Sequence, residues 1–245
     1  DDAIELEIEK YIENIDKVDC NPVGENVGVI NHEHNALRDY VDYLKSIINV
    51  DLTGMKVVLD CANGASYEVA PKVFKELGAN VIDINTTPNG KNINDKCGST
   101  HPEMLQKAVV ENKADLGLAY DGDADRLIAV DENGNIVDGD HIMILSAVYL
   151  KKKNQLSNNT LVITVMTNIG LNVAAREHGI NLETTDVGDR YVIEAMKKGE
   201  FNLGGEQSGH MIFSDYNTTG DGVLSSLMLS KIIMEEKKPL SELAS

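Results

Sequence analysis

The stretch MKVVLDCANGASYEVAPKVFKELGANVIDIN, residues 55–85, constrains the fold more than any other part of the chain. An apolar run is followed by an Asn-Gly turn, a segment with helical periodicity, a glycine stop at Gly78 and a second apolar run. That order spells strand, turn, helix, strand, a single βαβ unit. Strands joined through a crossover helix run parallel, and parallel sheets bury both faces under helices. The chain is therefore expected to be α/β.

The remaining periodicities extend this unit. Ile4, Ile8, Ile12 and Ile15 recur at helical spacing behind an acidic first turn, and a second helix is expected from about Asn35 to Val50 with Leu37, Val41, Leu44 and Ile48 on one face. Pro102 sits where a first-turn proline belongs and opens a third helix, PEMLQKAVVENKA. ADLGLAY reads as a buried strand, and LIAVDENGNIVDG as a hairpin around Asn133-Gly134. The pattern restarts after KKKNQLSNNT at 151–160. TLVITVMT, INLETTDV, FNLGG and HMIF read as strands, and NIGLNVAAREHG, DRYVIEAMKKG and GDGVLSSLMLSKIIMEE as helices. The expectation is two successive α/β domains with mixed sheets flanked by helices, spanning 1–139 and 140–245, with the boundary between Asp138 and Asn159.

Composition narrows the partners. With 40 acidic against 22 basic residues, the formal net charge is −18, which opposes nucleic acid and anionic membranes as partners. Three widely spaced cysteines, Cys20, Cys61 and Cys97, form neither a disulfide framework nor a zinc pattern and suit a reducing cytoplasm. No apolar run approaches the ~20 residues that span a bilayer. The N-terminus is acidic where a signal peptide is basic, and it lacks an initiator Met, so a piece of a longer chain is expected.

Chemistry concentrates in LGLAYDGDADRLIAV, where Asp121, Asp123 and Asp125 alternate and Arg126 follows. A solvated acidic turn leaves their mutual repulsion unbalanced. A calcium hand matches at several positions but needs glycine where Arg126 stands, and its flanks should be helices. A haloacid-dehalogenase-type phosphatase would use Asp121 as nucleophile and Asp123 as acid. Asp125 and Ser225 then stand where that pattern differs, so it is held as an alternative. In the third reading all three aspartates ligate one Mg²⁺, and Arg126 lies beside a transferring phosphoryl group.

A second loop, NLGGEQSGHMIF, combines Gly204, Gly205 and Gly209 with alternating Glu206, Ser208 and His210. An extended loop would present those three on one side, where a carboxylate and a hydroxyl suit a sugar. A glycine-rich hairpin with a buried histidine is the plainer alternative. A serine-hydrolase elbow is excluded, because Glu206 stands where it needs glycine.

Together, DGDADR and GGEQSGH resemble the metal loop and the sugar-recognition loop of the α-D-phosphohexomutase superfamily. VVLDCANGA, TVMTNIGL, TDVGDRYV and DYNTTGDGVLSSL agree with it. Gln207, VGDRYV and TTGDG are most similar to its phosphoglucosamine mutase branch; the phosphomannomutase/phosphoglucomutase branch is the alternative, as is a non-catalytic metal- or phosphosugar-binding module. The resemblance implies a four-domain enzyme of which this chain holds the second and third domains. A phosphoserine domain would precede them and a phosphate-gripping domain would follow. It implies interconversion of glucosamine 6-phosphate and glucosamine 1-phosphate through a bisphosphate, serving amino-sugar and cell-wall precursor synthesis. It further implies Mg²⁺ on Asp121, Asp123 and Asp125, catalysis by Arg126, and substrate contacts from Glu206, Ser208, His210, Asp189 and Arg190. It leaves the general acid/base unassigned. The 245 residues alone are expected to be inactive.

Other features read as structural. Asn63-Gly64 serves as the strand-to-helix turn, and Lys151 to Lys153 as a solvated helix end. His32, His34, His101, His141 and His178 show no ligand grouping, and Met143, Met166, Met196, Met211, Met228 and Met234 read as core.

Overall fold

The computed structural model describes residues 2–17 and 22–245, so Cys20 lies outside the described residues. It forms two compact units, Asp1–Ala36 and Leu37–Ser245. In the first, α1 (Asp2–Glu13) is followed by short 3-10 turns at Ile15–Lys17 and Gly24–Asn26. Ile4, Ile8 and Ile12 lie on α1 and Ile15 in the turn beyond, and all four are exposed.

The second unit is entered on α2 (Ala36–Ile48), which buries Val41, Leu44 and Ile48. The expected βαβ unit follows as β1 (Lys56–Asp60), α3 (Ser66–Glu76) and β2 (Asn80–Ile84), with β1 and β2 parallel. α4 (Glu103–Asn112) leads into β3 (Leu116–Tyr120), parallel to β1 on its other side. β4 (Leu127–Asp131) and β5 (Ile136–Val137) then run antiparallel, completing the order β2-β1-β3-β4-β5. After α5 (Gly139–Lys152) the second sheet is built from β6 (Thr160–Thr164), α6 (Ile169–Glu177), β7 (Asn181–Thr185), α7 (Asp189–Gly199), β8 (Leu203–Gly205) and β9 (Met211–Phe213). Its order is β7-β6-β8-β9, with β9 antiparallel. α8 (Gly222–Glu236) and α9 (Leu240–Leu243) close the chain.

The two sheets repeat one plan. Each places its first strand between its second and third in parallel, then hairpins back into an antiparallel fourth. In the first sheet that hairpin connection is 121–126, and in the second it is 206–210. The two loops singled out by their chemistry therefore occupy equivalent places in the two sheets.

A single apolar core joins the inner faces of both sheets to α2, α3, α5 and α8. α8 is buried on nearly every side, from Gly222 through Ser230, which explains why its sequence lacks a polar stripe. Each fully buried leucine there, Leu227 and Leu229 among them, contributes roughly 1.5–3 kcal/mol. Its serines are satisfied within one turn, Ser225 Oγ donating to Asp221 O, Ser226 Oγ to Val223 O and Ser230 Oγ to Ser226 O, and Ser226 Oγ also meets the distant Tyr120 Oη at 2.8 Å. Smaller clusters under α4 (Val58, Leu105, Val109) and under α7 (Val162, Val192, Met196) cover the outer faces. The result is helix, sheet, helix in each half.

Several expectations change. The strand at 160–167 stops at Thr164, because Thr167 N–H turns back to Thr164 O at 3.1 Å. Met166 is consequently 62% exposed rather than core. Met143, Met196, Met211 and Met228 are buried, and Met234 only partly so. The lysines at 151–153 are paired instead of merely solvated: Lys152 meets Glu236, Lys153 meets Glu235, and Lys151 Nζ donates to His178 O. They tie the end of α5 to α8 and to the end of α6. No described helix is long and apolar enough to cross a membrane.

Candidate functional site

β3 is buried along its whole length and delivers the aspartate loop at its C-terminal end, where open α/β sheets present ligand sites. The loop is held from three sides. Ala65 N–H donates to Gly122 O at 2.8 Å, and a Cβ on Gly64 would fall 2.2 Å from that oxygen, so Gly64 permits the close approach. Asn63-Gly64 thus forms the expected turn and also braces the loop. Gly222 N–H donates to Ala124 O at 2.8 Å, and Arg126 N–H donates to Asp121 Oδ1 at 3.1 Å.

One ligand oxygen each from Asp121, Asp123 and Asp125 lies within 4.8 Å of the others. Burial, then the neighbouring Asp123 carboxyl, pushes the Asp121 carboxyl up to about 7 against the pull of Arg126 N–H, and Asp125 adds to the rise. Asp125 Oδ1 is buried without a hydrogen-bond donor, 3.9 Å from Arg126 Nε. An all-oxygen donor set with an unsatisfied buried carboxylate fits a hard divalent cation. β4 is a strand where a calcium hand would need a helix, in keeping with that motif's exclusion by Arg126, and Glu132 accepts hydrogen bonds from Ser241 N–H and Oγ.

The second loop is not extended. Residues 206–209 make a tight turn, with Gly209 N–H donating to Glu206 O at 3.0 Å and Glu206 N–H to His210 O at 2.9 Å. Alternation therefore does not put the three side chains on one side. Glu206 and Ser208 face a cleft of about 470 Å³ that they share with Arg126, Asp138, Thr164, Met166, Val187 and Gln207. The His210 ring goes the other way. It is 4% exposed, and its Nδ1 lies 3.0 Å from Asp125 Oδ2.

The two loops are laced together. Arg126 and His210 form an antiparallel bridge, and Leu127 N–H donates to Gly209 O at 3.1 Å. A Cβ on Gly209 would lie 2.2 Å from Leu127 O, and one on Gly220 would strike the His210 ring. Gly139 at the start of α5 donates its N–H to Gln207 O at 3.1 Å, with no room for a Cβ beside the turn. Asp189 and Arg190 occupy the exposed first turn of α7, where Arg190 Nε meets Glu194 at 3.0 Å. Their loop still reaches the site, through Val187 in the cleft wall and through Gly188 N–H, which donates to Glu206 Oε1 at 3.0 Å.

Sequence reasoning overlooked several supporting residues. Asp60, wholly buried, accepts from Ala62 N–H, Asn85 Nδ2 and Gly98 N–H, each at 3.0 Å, and so organises the loops beneath the aspartates. Asp221 caps α8 through Leu224 N–H and receives Tyr40 Oη at 2.6 Å, and the next residue, Gly222, braces Ala124. Asp138 caps α5 beside the cleft. A buried acid at a strand end and helix-cap aspartates were the available signals.

Comparisons with known proteins agree with this geometry. Residues 38–134 match the family model for phosphoglucomutase/phosphomannomutase alpha/beta/alpha domain II, and residues 138–245 the one for domain III. The chain is 74% identical to a phosphoglucosamine mutase of Clostridioides difficile over 245 residues, all of this chain and 55% of that protein. It is 58% identical to one from Thermoanaerobacter sp. over 241 residues, 97% of this chain and 54% of that protein. It thus spans about half the length of the curated relatives it matches. Among solved structures, a phosphoglucomutase/phosphomannomutase family protein of Burkholderia thailandensis superposes with a TM-score of 0.75 at 28% identity, covering 84% of this chain and 45% of that one. Two domain models side by side, over two sheets that repeat one strand plan, place this chain in the phosphoglucomutase/phosphomannomutase family.

Proposed function

We propose that the chain is the second and third domains of a phosphoglucosamine mutase, which interconverts glucosamine 6-phosphate and glucosamine 1-phosphate. The division lies at the start of α5, at 139/140 as expected, close to where the matched domain models end at 134 and begin at 138. The observation that carries the reading is the interlock of the aspartate loop with the 206–210 turn, which aims Arg126, Glu206 and Ser208 into one cleft.

Asp121, Asp123 and Asp125 hold Mg²⁺, which when bound supplies charge neutralisation at the phosphoryl group being transferred. Arg126 gives a fixed guanidinium to the same developing charge, in keeping with a reaction catalysed chiefly by positioning and electrostatics. His210 acts behind Asp125: its ring holds Oδ2, fixing which carboxylate oxygen stays free. Glu206 and Ser208 hold sugar hydroxyls that present alike in both orientations of a bisphosphate turning in the cleft. Gly188 N–H steadies Glu206 for that role. A phosphoserine domain and a phosphate-gripping domain of the intact enzyme complete the site. Asp189 and Arg190, on the first turn of α7 beside Val187 and Gly188, would reach the substrate from that side.

The test is the intact enzyme's kcat/KM for glucosamine 6-phosphate against glucose 6-phosphate and mannose 6-phosphate. A clear preference for the amino sugar is expected, and a preference for either neutral sugar overturns the reading. The purified 245-residue chain is expected to turn over none of them.

Metal affinity should also depend on pH. Asp121 is protonated below about 7, and the cation binds its anion, so affinity rises with pH up to about 7 and then levels, by at most about tenfold per unit. The raised value has a second consequence. In the metal-free protein Asp121 contributes stability at acid pH that is lost as pH rises through about 7. Calorimetric Mn²⁺ or Mg²⁺ titrations at pH 6 and 8 check the first, and metal-free melting curves the second. Equal affinities at the two pH values contradict the assignment.

A further inference from the structure

The cleft holds a second carboxylate to which the mutase scheme gives no role. Asp138 Oδ1 accepts the backbone N–H of His141 at 3.2 Å and pairs with His141 Nδ1 at 2.6 Å. Its Oδ2 receives only a long contact from Gln207 Nε2, at 3.4 Å. One oxygen is committed to the helix cap, and the other is loosely steered at the cleft wall, with the side chain 27% exposed. Burial alone would raise this carboxyl, but the His141 hydrogen bonds outweigh it and keep Asp138 anionic at neutral pH.

Charge balance in the cleft is then informative. Its lining carries one cation, Arg126, and two anions, Asp138 and Glu206, among Thr164, Met166 and Ser208. Glu206 has an oxygen engaged by Gly188 N–H. A neutral hexose phosphate gives Arg126 its phosphate and Glu206 and Ser208 its hydroxyls. It would leave Asp138 with His141 at Oδ1, whose imidazole that hydrogen bond makes more basic, but with only the long Gln207 contact at the cleft-side Oδ2, and desolvating that oxygen unpaired is costly. A hexosamine phosphate brings an ammonium of the complementary sign, and a charge-assisted hydrogen bond to a carboxylate is among the stronger polar contacts. We infer that Asp138, steered by Gln207, binds the protonated 2-amino group of a hexosamine phosphate and sets the preference for amino over neutral sugar. This rests on the mutase reading above.

Asparagine and serine cap helices about as well as aspartate, so Asp138→Asn and Asp138→Ser keep the cap of α5 and remove the charge. In the intact enzyme, both variants are assayed with glucosamine 6-phosphate and glucose 6-phosphate. The ratio of the two kcat/KM values is expected to fall about 10–100-fold in both, chiefly through KM for the amino sugar. If the wild type prefers the amino sugar and both variants keep its ratio within about twofold, Asp138 is a helix cap only and the inference fails alone. If the wild type prefers the neutral sugar, the mutase reading fails and the inference falls with it.

Discussion

Asp123→Asn in the intact enzyme is expected to lower Mg²⁺-dependent turnover by more than about 100-fold, because it removes a direct ligand where loss of an outer partner alone costs about 10–100-fold. Of the three aspartates it is the exposed one. Asp121 holds Arg126 N–H and Asp125 holds the His210 ring, whereas Asp123 only shares a hydrogen bond with the Asp121 carboxyl, which an amide oxygen can also accept. The isosteric amide therefore leaves the fold intact. Removing one of three crowded carboxylates should raise the melting temperature of the metal-free protein slightly while weakening its metal binding. That opposition of stability and function separates a ligand from a structural residue. Turnover at the wild-type level, or Mn²⁺ affinity unchanged by calorimetry, would sink the metal assignment.

Gly209→Ala carries the largest expected effect on stability. Gly209 has φ +95°, and an added Cβ would sit 2.2 Å from Leu127 O and 2.9 Å from Leu127 N. Both contacts are backbone, and that backbone belongs to the β4 strand that carries the aspartate loop. Strain in that conformation costs about 1–3 kcal/mol and crowding a similar amount, so a loss of about 2–6 kcal/mol is expected. For a protein of this size the melting temperature falls by roughly 5–15 °C. Metal affinity should drop alongside, because the turn that moves also carries His210 away from Asp125. Thermal melting and metal titration of the one variant check both. An unchanged melting temperature would mean that the two loops are not locked through Gly209.

Much of the fold could be read locally. The βαβ unit of β1, α3 and β2 announces itself because strand and helix impose periods of 2 and 3.6 that residues 55–85 obey. Each restart of that pattern corresponds to a strand or helix in the second sheet. The aspartates of DGDADR declare their chemistry without any fold, since three carboxylates so close in sequence repel unless a cation joins them. Glu206 and Ser208 were legible as polar groups among glycines, and both line the cleft.

Local spacing misled where a turn or a distant partner intervened. Alternation predicts one face only for extended backbone, and the hydrogen bonds across 206–210 bend the chain so that His210 leaves the side of Glu206. Met166 looked like core by its neighbours, yet β6 ends before it. Asp60 and Asp138 are ordinary acids in the sequence. What one organises and the other faces depends on loops brought in by packing, such as the Asp60 bond to Gly98 and the Asp138 contact with Gln207. The α/β class, the order of elements and the loop of three carboxylates follow from the dihedral and charge preferences of near neighbours, so they could be read along the chain. That His210 meets Asp125, 85 residues away, and that the two loops open on one cleft came only with packing. Contacts of that separation are set by how two sheets share a core, and no period along the chain records them.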